Sequence, residues 1–349
     1  MSIDTTAAKA IRTTKRVIWP IYAPFDNYWR APWARRKFAR TPWPTNAFDA
    51  HSREMPRVGV VVANYNTANL ISQLIFSLHR IVHSPKVAQI VVVDNASTDG
   101  SIHILEALHN ANLIHLIKNR EQQYHGKGLN QGVSWLARTY DAHDPNHSID
   151  YVLILDSDVI LLRDDIIDDS IAFIRESGSD IIGQLQTPVI KLRHNPYLVH
   201  PSTLFLDAGR IWKHPIPPFY DHGSPAEPME KYADRKGRII SSFPYAEQNY
   251  VIHLGGGTLS SIAASDETDN RYYGWAVDHS EPHFLGGYSG MHGAQGPRPQ
   301  SAPNTVDRDR ARANYERFFE IFQNEVPVLD AEHIVNACLR DHPNYTFGQ

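Results

Sequence analysis

The chain has 349 residues, 42% of them hydrophobic and 21% charged, so it is long enough for one large or two medium globular domains. Its single cysteine, Cys338, excludes an intramolecular disulfide and a cysteine-based zinc site, which fits a reducing compartment. No signal peptide and no apolar run of about 18 residues stands out, so we expect no membrane-spanning segment.

The net charge of −4 is unevenly distributed along the chain. Residues 1–57 carry eleven Lys or Arg and four Asp or Glu, a local charge of +7, which leaves −11 for the remainder. Four of the seven tryptophans lie in the same segment. Basic and aromatic residues together suit an arm that packs on the main domain, a membrane interface, or single-stranded nucleic acid. We favour the packed arm, keep peripheral membrane contact through residues 1–50 as the second alternative, and regard nucleic acid as unlikely.

After Pro56, short apolar runs alternate with stretches whose apolar residues recur at helical spacing. The runs predict buried strands over 57–63, 89–95, 112–119 and 150–156. The stretches between them predict helices over 69–82, 101–110 and 128–140. This alternation predicts an α/β fold, with a mostly parallel sheet flanked by helices on both faces.

Polar clusters follow the predicted strands at the points where those strands end. They are "NYN" (64–66), "DNASTDGS" (94–101), "HGKGLNQG" (125–132) and "DSD" (156–158). Ligands of such sheets bind beyond the carboxyl ends of the strands. Four clusters at one edge therefore predict a binding site there.

The pair Asp156 and Asp158 ends an apolar strand, where burying a carboxylate costs several kcal/mol unless something compensates it. Two carboxylates with waters are typical ligands of Mg²⁺ or Mn²⁺ that carries a diphosphate. The alternative is a pair of solvated turn residues.

Asp94 also lies at a strand end, where a carboxylate can accept the imide N–H of uracil or thymine. Asp99 is more simply interpreted as a helix cap. Tyr65 could stack on the base or pack under the sheet edge. Asn64 and Asn66, on either side of it, are further candidates for donor contacts.

"HGKGLNQG" places glycines and a lysine at a helix N-terminus, where anions are favoured. It is not a phosphate-loop motif, which needs Gly-x-x-x-x-Gly-Lys-Ser/Thr. Lys127 and Asn130 are candidate contacts to ribose, base or diphosphate. A solvated lysine is the alternative for Lys127.

In order and spacing, "VGVVVANYN", "IVVVDNASTDGS", "GKGLNQG" and "LILDSDV" resemble the motifs of the family 2 glycosyltransferases, over about residues 57–160. The resemblance implies the Rossmann-like GT-A fold, a nucleotide-sugar donor, a divalent metal on the Asp-x-Asp motif and inversion at the anomeric carbon. It also implies that Asp158 is the direct metal ligand, while Asp156 and Ser157 face the donor.

The same resemblance extends to "FYDHGSPAEPMEKYADRKGRIISSFPYAEQNYVIHLGGGT" (219–258), where a helix is predicted over 226–236 and a strand over 238–243. It implies Asp221 as the general base and His253 as a third metal ligand. The family's usual Glu-Asp pair is absent, so Glu227 and Glu247 remain rivals for the base. His253 could equally be a buried, backbone-bonded histidine.

These features predict four segments: an arm (1–56), a nucleotide-sugar-binding half (57–160), an acceptor-binding half (161–277), and a Gly/Pro-rich loop with C-terminal helices (278–349). The loop is interpreted as a linker rather than a lid. Tyr315, Phe318, Phe319 and Phe322 share one face of a predicted helix over 310–322, so we expect it to dock on the domain.

We therefore expect an inverting glycosyltransferase that uses Mn²⁺ or Mg²⁺ and a nucleotide-diphosphate sugar, with UDP favoured. The acceptor would be a hydroxyl group, in glycan, polysaccharide or glycolipid synthesis. We expect a cytoplasmic protein, with peripheral contact at the inner face of the membrane as a variant. The alternatives are a non-catalytic nucleotide- or sugar-binding module and a phosphohydrolase similar to haloacid dehalogenases.

Overall fold

The computed structural model describes residues 48, 55–140, 144, 147–185, 192–195, 198–212, 219, 225–254 and 308–340. Its centre is a seven-stranded sheet with the spatial order β3-β2-β1-β4-β7-β6-β8. The strands of this sheet are β1 (Val58–Asn64), β2 (Val87–Asp94), β3 (His115–Lys118), β4 (Tyr151–Asp156), β6 (Ile181–Leu185), β7 (Val199–Asp207) and β8 (Ile240–Ser242). Two more strands, β5 (Val159–Leu161) and β9 (Val251–His253), pair with each other.

The sheet is mostly parallel, as predicted. β1 runs parallel to β2 and to β4, β2 to β3, and β6 to β8, while β7 is antiparallel to both β4 and β6. The register pairs Asn64 with Asp94, and Ala63 with Asp156. The strand ends that carry the polar clusters therefore lie side by side at one edge.

Helices cover both faces of the sheet. They are α1 (Ala68–Ser77), α2 (Ser101–Asn110), α3 (His125–Thr139), α4 (Ile166–Ser177), α5 (Ala208–Ile211), α6 (Glu227–Arg235), α7 (Arg308–Glu325) and α8 (Ala331–Leu339). One core joins the sheet to α1, α2, α4, α7 and α8. The other joins it to α3, α5 and α6. Burial of two separate apolar faces is what the near-continuous apolar strands require.

The glycines of α3 let this helix approach β1 closely. A Cβ at Gly132 would lie 2.4 Å from Val61 Cγ1, and one at Gly128 would lie 3.2 Å from Ala63 Cβ. Both glycines are buried. Packing against the sheet thus explains their presence, independently of any phosphate at the helix start.

The C-terminal helices dock on the domain, as predicted. Phe318 and Phe322 of α7 are buried against Phe76 of α1, with ring centroids 6.0 and 5.3 Å from it. Arg80 also pairs with Glu325 at the end of α7, at 3.2 Å. Helix α7 therefore completes the core on the α1 face.

The helices predicted over 69–82 and 128–140 differ from the observed ones at ends that matter for the site. The segment 69–82, predicted as one helix, is α-helical only to Ser77 and continues as a π-helical turn (Leu78–Val82). The helix ends at His83, which has φ 31°. Helix α3 begins at His125, three residues before its predicted start. Its first turn therefore reaches the sheet edge where the polar clusters lie.

Within segment 1–54, Phe48 is the residue that the structure describes. It is buried, and its ring lies 5.2 Å from that of Trp212. This contact agrees with an arm that packs on the domain at that point; the other predictions for residues 1–50 lie outside the described residues. Among the described helices, none has the length and apolar character needed to cross a membrane.

Candidate active site

Two short antiparallel strands from distant parts of the chain bring the Asp-x-Asp motif beside His253. Strand β4 ends at Asp156, and after Ser157 and Asp158 the chain enters β5, which pairs antiparallel with β9. In that pairing Val159 lies opposite His253, and the Leu254 N–H donates to the Asp158 carbonyl at 3.0 Å. Backbone pairing thus places the imidazole beside the two carboxylates.

The three side chains converge on one point. His253 Nε2 lies 3.2 Å from Asp158 Oδ1 and 3.8 Å from Asp156 Oδ2. One ligand atom from each residue falls within 4.8 Å of the others. Asp158 and His253 are buried, while 16% of the Asp156 side chain is exposed. Two carboxylates and an imidazole at this spacing fit a divalent cation such as Mn²⁺.

The electrostatics of the cluster favour a cation. Burial raises the pKa of Asp156, and the neighbouring Asp158 carboxylate raises it further, while His125 and His253 lower it. Burial lowers the pKa of His253, but Asp158 and Asp156 outweigh that effect, so its net pKa lies above the ordinary value. The two carboxylates therefore stabilise positive charge at the point between them.

His125, which the sequence interpretation missed, lies on the other side of Asp156. Its Nε2 is 3.4 Å from Asp156 Oδ1. Neither atom has a hydrogen bond within the described residues, although both are buried. Asp156 thus has His253 near one oxygen and His125 near the other.

Asp94 holds the loop that follows β2. Its Oδ1 accepts from Asn64 Nδ2 at 2.8 Å and from Ser97 Oγ at 2.6 Å, and its Oδ2 accepts from the Ser97 N–H at 3.0 Å. Asp94 is 1% exposed. In this structure its bonds organise the loop, and a contact to a nucleobase stays a prediction.

The "NYN" cluster is connected to the Asp-x-Asp motif by hydrogen bonds. Thr67 Oγ1 lies 2.6 Å from Asn64 Oδ1 and 3.1 Å from Ser157 Oγ. Asn66 has a left-handed backbone, with φ 51°, and its Oδ1 accepts from the Thr98 N–H at 2.7 Å. Tyr65, between the two asparagines, is half-buried. These hydrogen bonds connect the ends of β1, β2 and β4 along one edge of the sheet.

Lys127 and Asn130, both on α3, have different surroundings. Lys127 is exposed, and its Nζ lies 5.7 Å from the centroid of the Tyr124 ring. Asn130 donates to the Phe219 carbonyl and accepts from the Phe219 N–H, both at 2.8 Å. Its amide therefore holds the backbone at Phe219, a function that the sequence interpretation did not assign to it.

Asp221, the predicted general base, lies outside the described residues. Of its rivals, Glu227 is the first residue of α6 and pairs with Lys231. Glu247 Oε1 accepts from Gln184 Nε2 at 2.7 Å, and burial raises the pKa of Glu247. The choice among the three stays a prediction.

His200 is a second histidine near the cluster that the sequence interpretation missed. It lies on β7 with its ring centroid 5.3 Å from that of His253. The Ser202 N–H donates to His200 Nδ1 at 3.1 Å, so the neutral ring carries its proton on Nε2. His200 opens the stretch "HPSTLFLDAG" (200–209), and no local pattern there distinguishes it as a site residue.

Several comparisons with known proteins bear on this site. The profile of the Glycosyl transferase family 2 matches residues 59–223. A comparison with curated protein sequences finds no match.

Solved structures with similar chains include S. aureus TarS 1–349 in complex with UDP-GlcNAc, at 21% identity and a TM-score of 0.42. That match covers 54% of this chain and 56% of the TarS chain, so this chain spans just over half of its length.

Mannosyltransferase PcManGT from Pyrobaculum calidifontis, in complex with GDP-Man and Mn²⁺, is 16% identical, with a TM-score of 0.43 and coverage of 96% and 98%. Glucosyl-3-phosphoglycerate synthase from Mycobacterium tuberculosis, in complex with Mn²⁺, UDP and phosphoglyceric acid, is 16% identical, with a TM-score of 0.38 and coverage of 54% and 68%.

The family profile spans the described strands from β1 to β7 and includes the Asp-x-Asp motif. The sheet order and the position of that motif agree with the GT-A fold implied by the sequence motifs. The chain therefore contains a glycosyltransferase domain of the Glycosyl transferase family 2, which spans residues 59–223.

Proposed function

We propose that the protein is an inverting, metal-dependent glycosyltransferase. It would move a sugar from a nucleotide-diphosphate donor, with UDP favoured, to a hydroxyl acceptor in glycan, polysaccharide or glycolipid synthesis. The observation that carries the proposal is the convergence of Asp156, Asp158 and His253 at the carboxyl edge of a family 2 domain.

Asp158 and His253 would hold the divalent cation, and Asp156 would be a third ligand, which the spacing of the three side chains supports. A cation bound there stabilises negative charge on the departing diphosphate. Mn²⁺ is favoured over Mg²⁺ because an imidazole joins the oxygen ligands, and Mg²⁺ prefers oxygen alone. The burial of Asp158 and His253 keeps competing water away from the ligand atoms.

The donor would lie along the edge formed by Asn64, Tyr65 and Asn66, with Asp94 at the base and Ser157 near the ribose or sugar. Among the described residues, the Ser97 N–H donates to Asp94 Oδ2, and this oxygen retains capacity for an imide N–H. Lys127, exposed in the first turn of α3, is placed to neutralise diphosphate charge.

In the transfer step, the acceptor oxygen would attack the anomeric carbon while Asp221 takes the hydroxyl proton. The bond between the anomeric carbon and the diphosphate oxygen breaks, and the nucleoside diphosphate leaves with the electron pair. If Asp221→Asn retains a normal transfer rate, Glu227 or Glu247 becomes the candidate base.

A nucleotide-release assay tests the proposal. Purified protein is incubated with a panel of UDP-sugars and Mn²⁺, alone and with a chelator, beside Asp158→Ala and the exposed control Asp164→Ala. We expect one donor to stand out, with release lost in Asp158→Ala and in chelator but retained in Asp164→Ala. Release that persists in Asp158→Ala with metal present would refute the metal assignment.

The non-catalytic alternative predicts UDP binding without release from any UDP-, dTDP- or GDP-sugar. The phosphohydrolase alternative predicts inorganic phosphate release from phosphomonoesters, and it disagrees with the family match.

We also propose that the protein is cytoplasmic, with peripheral membrane contact through residues 1–50 as the alternative to an arm that packs on the domain, since the charge and tryptophans of this segment suit a membrane interface. Co-sedimentation with anionic vesicles, compared with a variant lacking residues 1–50, tests this. Equal sedimentation of the two proteins would contradict the membrane contact.

A further inference from the structure

His125 faces the Asp-x-Asp motif from the side opposite His253. Its Nε2 lies 3.4 Å from Asp156 Oδ1, and His253 Nε2 lies 3.8 Å from Asp156 Oδ2. The two oxygens of one carboxylate thus have different histidine neighbours, one on α3 and one on β9.

The environment of Asp156 Oδ1 indicates what His125 does for this carboxylate. This oxygen is buried and has no hydrogen bond within the described residues, and the same is true of His125 Nε2. A buried carboxylate oxygen without a partner destabilises the folded protein. Among the described residues, the Nε2 of His125 lies nearest to this oxygen with no other partner, and it is placed to compensate this cost.

We propose that His125 is a positioning residue for the metal site, an inference that rests on the proposed function. By attracting Oδ1, His125 fixes the rotation of the Asp156 carboxylate, so that Oδ2 points toward Asp158 and His253. Partners outside the ligand set commonly orient metal ligands in this way, and their loss costs about 10–100-fold in metal affinity.

A direct ligand function for His125 is the main competing interpretation. The group of side chains whose ligand atoms fall within 4.8 Å of one another comprises Asp156, Asp158 and His253 among the described residues, without His125. Although 39% of the His125 side chain is exposed, its Nε2 is buried and faces Asp156 Oδ1. His125 therefore contacts the Asp156 carboxylate from outside the group of candidate metal ligands.

Three histidine variants test the inference in the full-length protein. His125→Leu removes the donor, and His125→Gln retains an N–H on a side chain of similar reach. Both residues are good helix formers, so the start of α3 is preserved. The control is His147→Leu, because His147 stacks on Tyr140 and precedes β4, at the opposite edge of the sheet.

Mn²⁺ affinity is measured from the electron paramagnetic resonance signal of free Mn²⁺, and imidazole coordination from the ¹⁴N modulation of bound Mn²⁺. We expect His125→Leu to weaken Mn²⁺ binding about 10–100-fold. His125→Gln should recover most of the affinity. The ¹⁴N modulation should be unchanged in both variants, since His253 supplies it.

The outcomes separate the positioning function of His125 from the metal site of the proposed function. Wild-type affinity in His125→Leu, or weakening that His125→Gln does not relieve, would overturn the positioning function. Partial loss of the ¹⁴N modulation in His125→Leu would make His125 a ligand, which also overturns it. Failure of the wild-type protein to bind Mn²⁺ would instead refute the metal site of the proposed function.

Discussion

Replacing Asn130 by alanine tests whether this residue contacts the donor or holds the protein together. Its side-chain amide makes two hydrogen bonds of 2.8 Å to the backbone of Phe219, one as donor and one as acceptor. Phe219 is 1% exposed and packs in the same core as α3 and α6. Asn130→Ala would therefore leave one N–H and one carbonyl of a buried residue without partners.

The cost of this substitution follows from those two groups. An unsatisfied buried backbone group costs about 1–3 kcal/mol, so two groups cost about 2–6 kcal/mol. Asn130 itself is half-buried, and water can enter the space left by its side chain. We therefore expect the lower end, a loss of about 2–3 kcal/mol in the free energy of unfolding.

Urea denaturation measures this loss, and UDP binding is titrated on the folded protein. Gln131→Ala is a matched control, because Gln131 makes a similar pair of amide bonds to the half-buried side chain of Asn119. We expect a smaller loss of stability in the control and unchanged UDP affinity in Asn130→Ala. Wild-type stability together with weakened UDP binding would refute the reasoning and restore the donor contact.

Two further predictions concern stability. Gly132→Ala should destabilise the fold by about 1–3 kcal/mol, because its Cβ would lie 2.4 Å from Val61 Cγ1, and an unchanged melting temperature would contradict the close packing of α3 on β1. Burial raises the pKa of Glu230 to about 8. Folded Glu230 therefore retains a proton that the unfolded chain loses above about pH 4.3. The protonated side chain's contribution to the free energy of unfolding is lost as the pH rises toward 8. Glu230→Gln should therefore lose less unfolding free energy than wild type between pH 5 and 8, with the exposed Glu176→Gln following wild type; parallel profiles for Glu230→Gln and wild type would contradict this.

Much of the fold could be predicted from the sequence because the deciding signals are local. The apolar run 57–63 and the spacing of apolar residues in 101–110 each specify an element without reference to the rest of the chain. Helix α2 matches its prediction at both ends (Ser101–Asn110), and β1, β2 and β4 are within two residues of theirs. Parallel alternation then places the polar clusters at one edge.

The pairing of His253 with the Asp-x-Asp motif was anticipated only through a family resemblance. Its physical cause is the β5–β9 ladder, which joins segments far apart in the chain. Strand β5 is three residues long and was not predicted, because so short an apolar run is not distinguishable from the end of β4.

The sequence by itself determined which residue types reach the sheet edge, because strand ends and helix starts follow from hydrophobic periodicity. Only the tertiary structure decided which of them meet. Asn130 turned out to bind the Phe219 backbone, and His125 to face Asp156. Side-chain direction depends on the packing of α3 against β1 and on neighbours distant in sequence, and no local pattern encodes either.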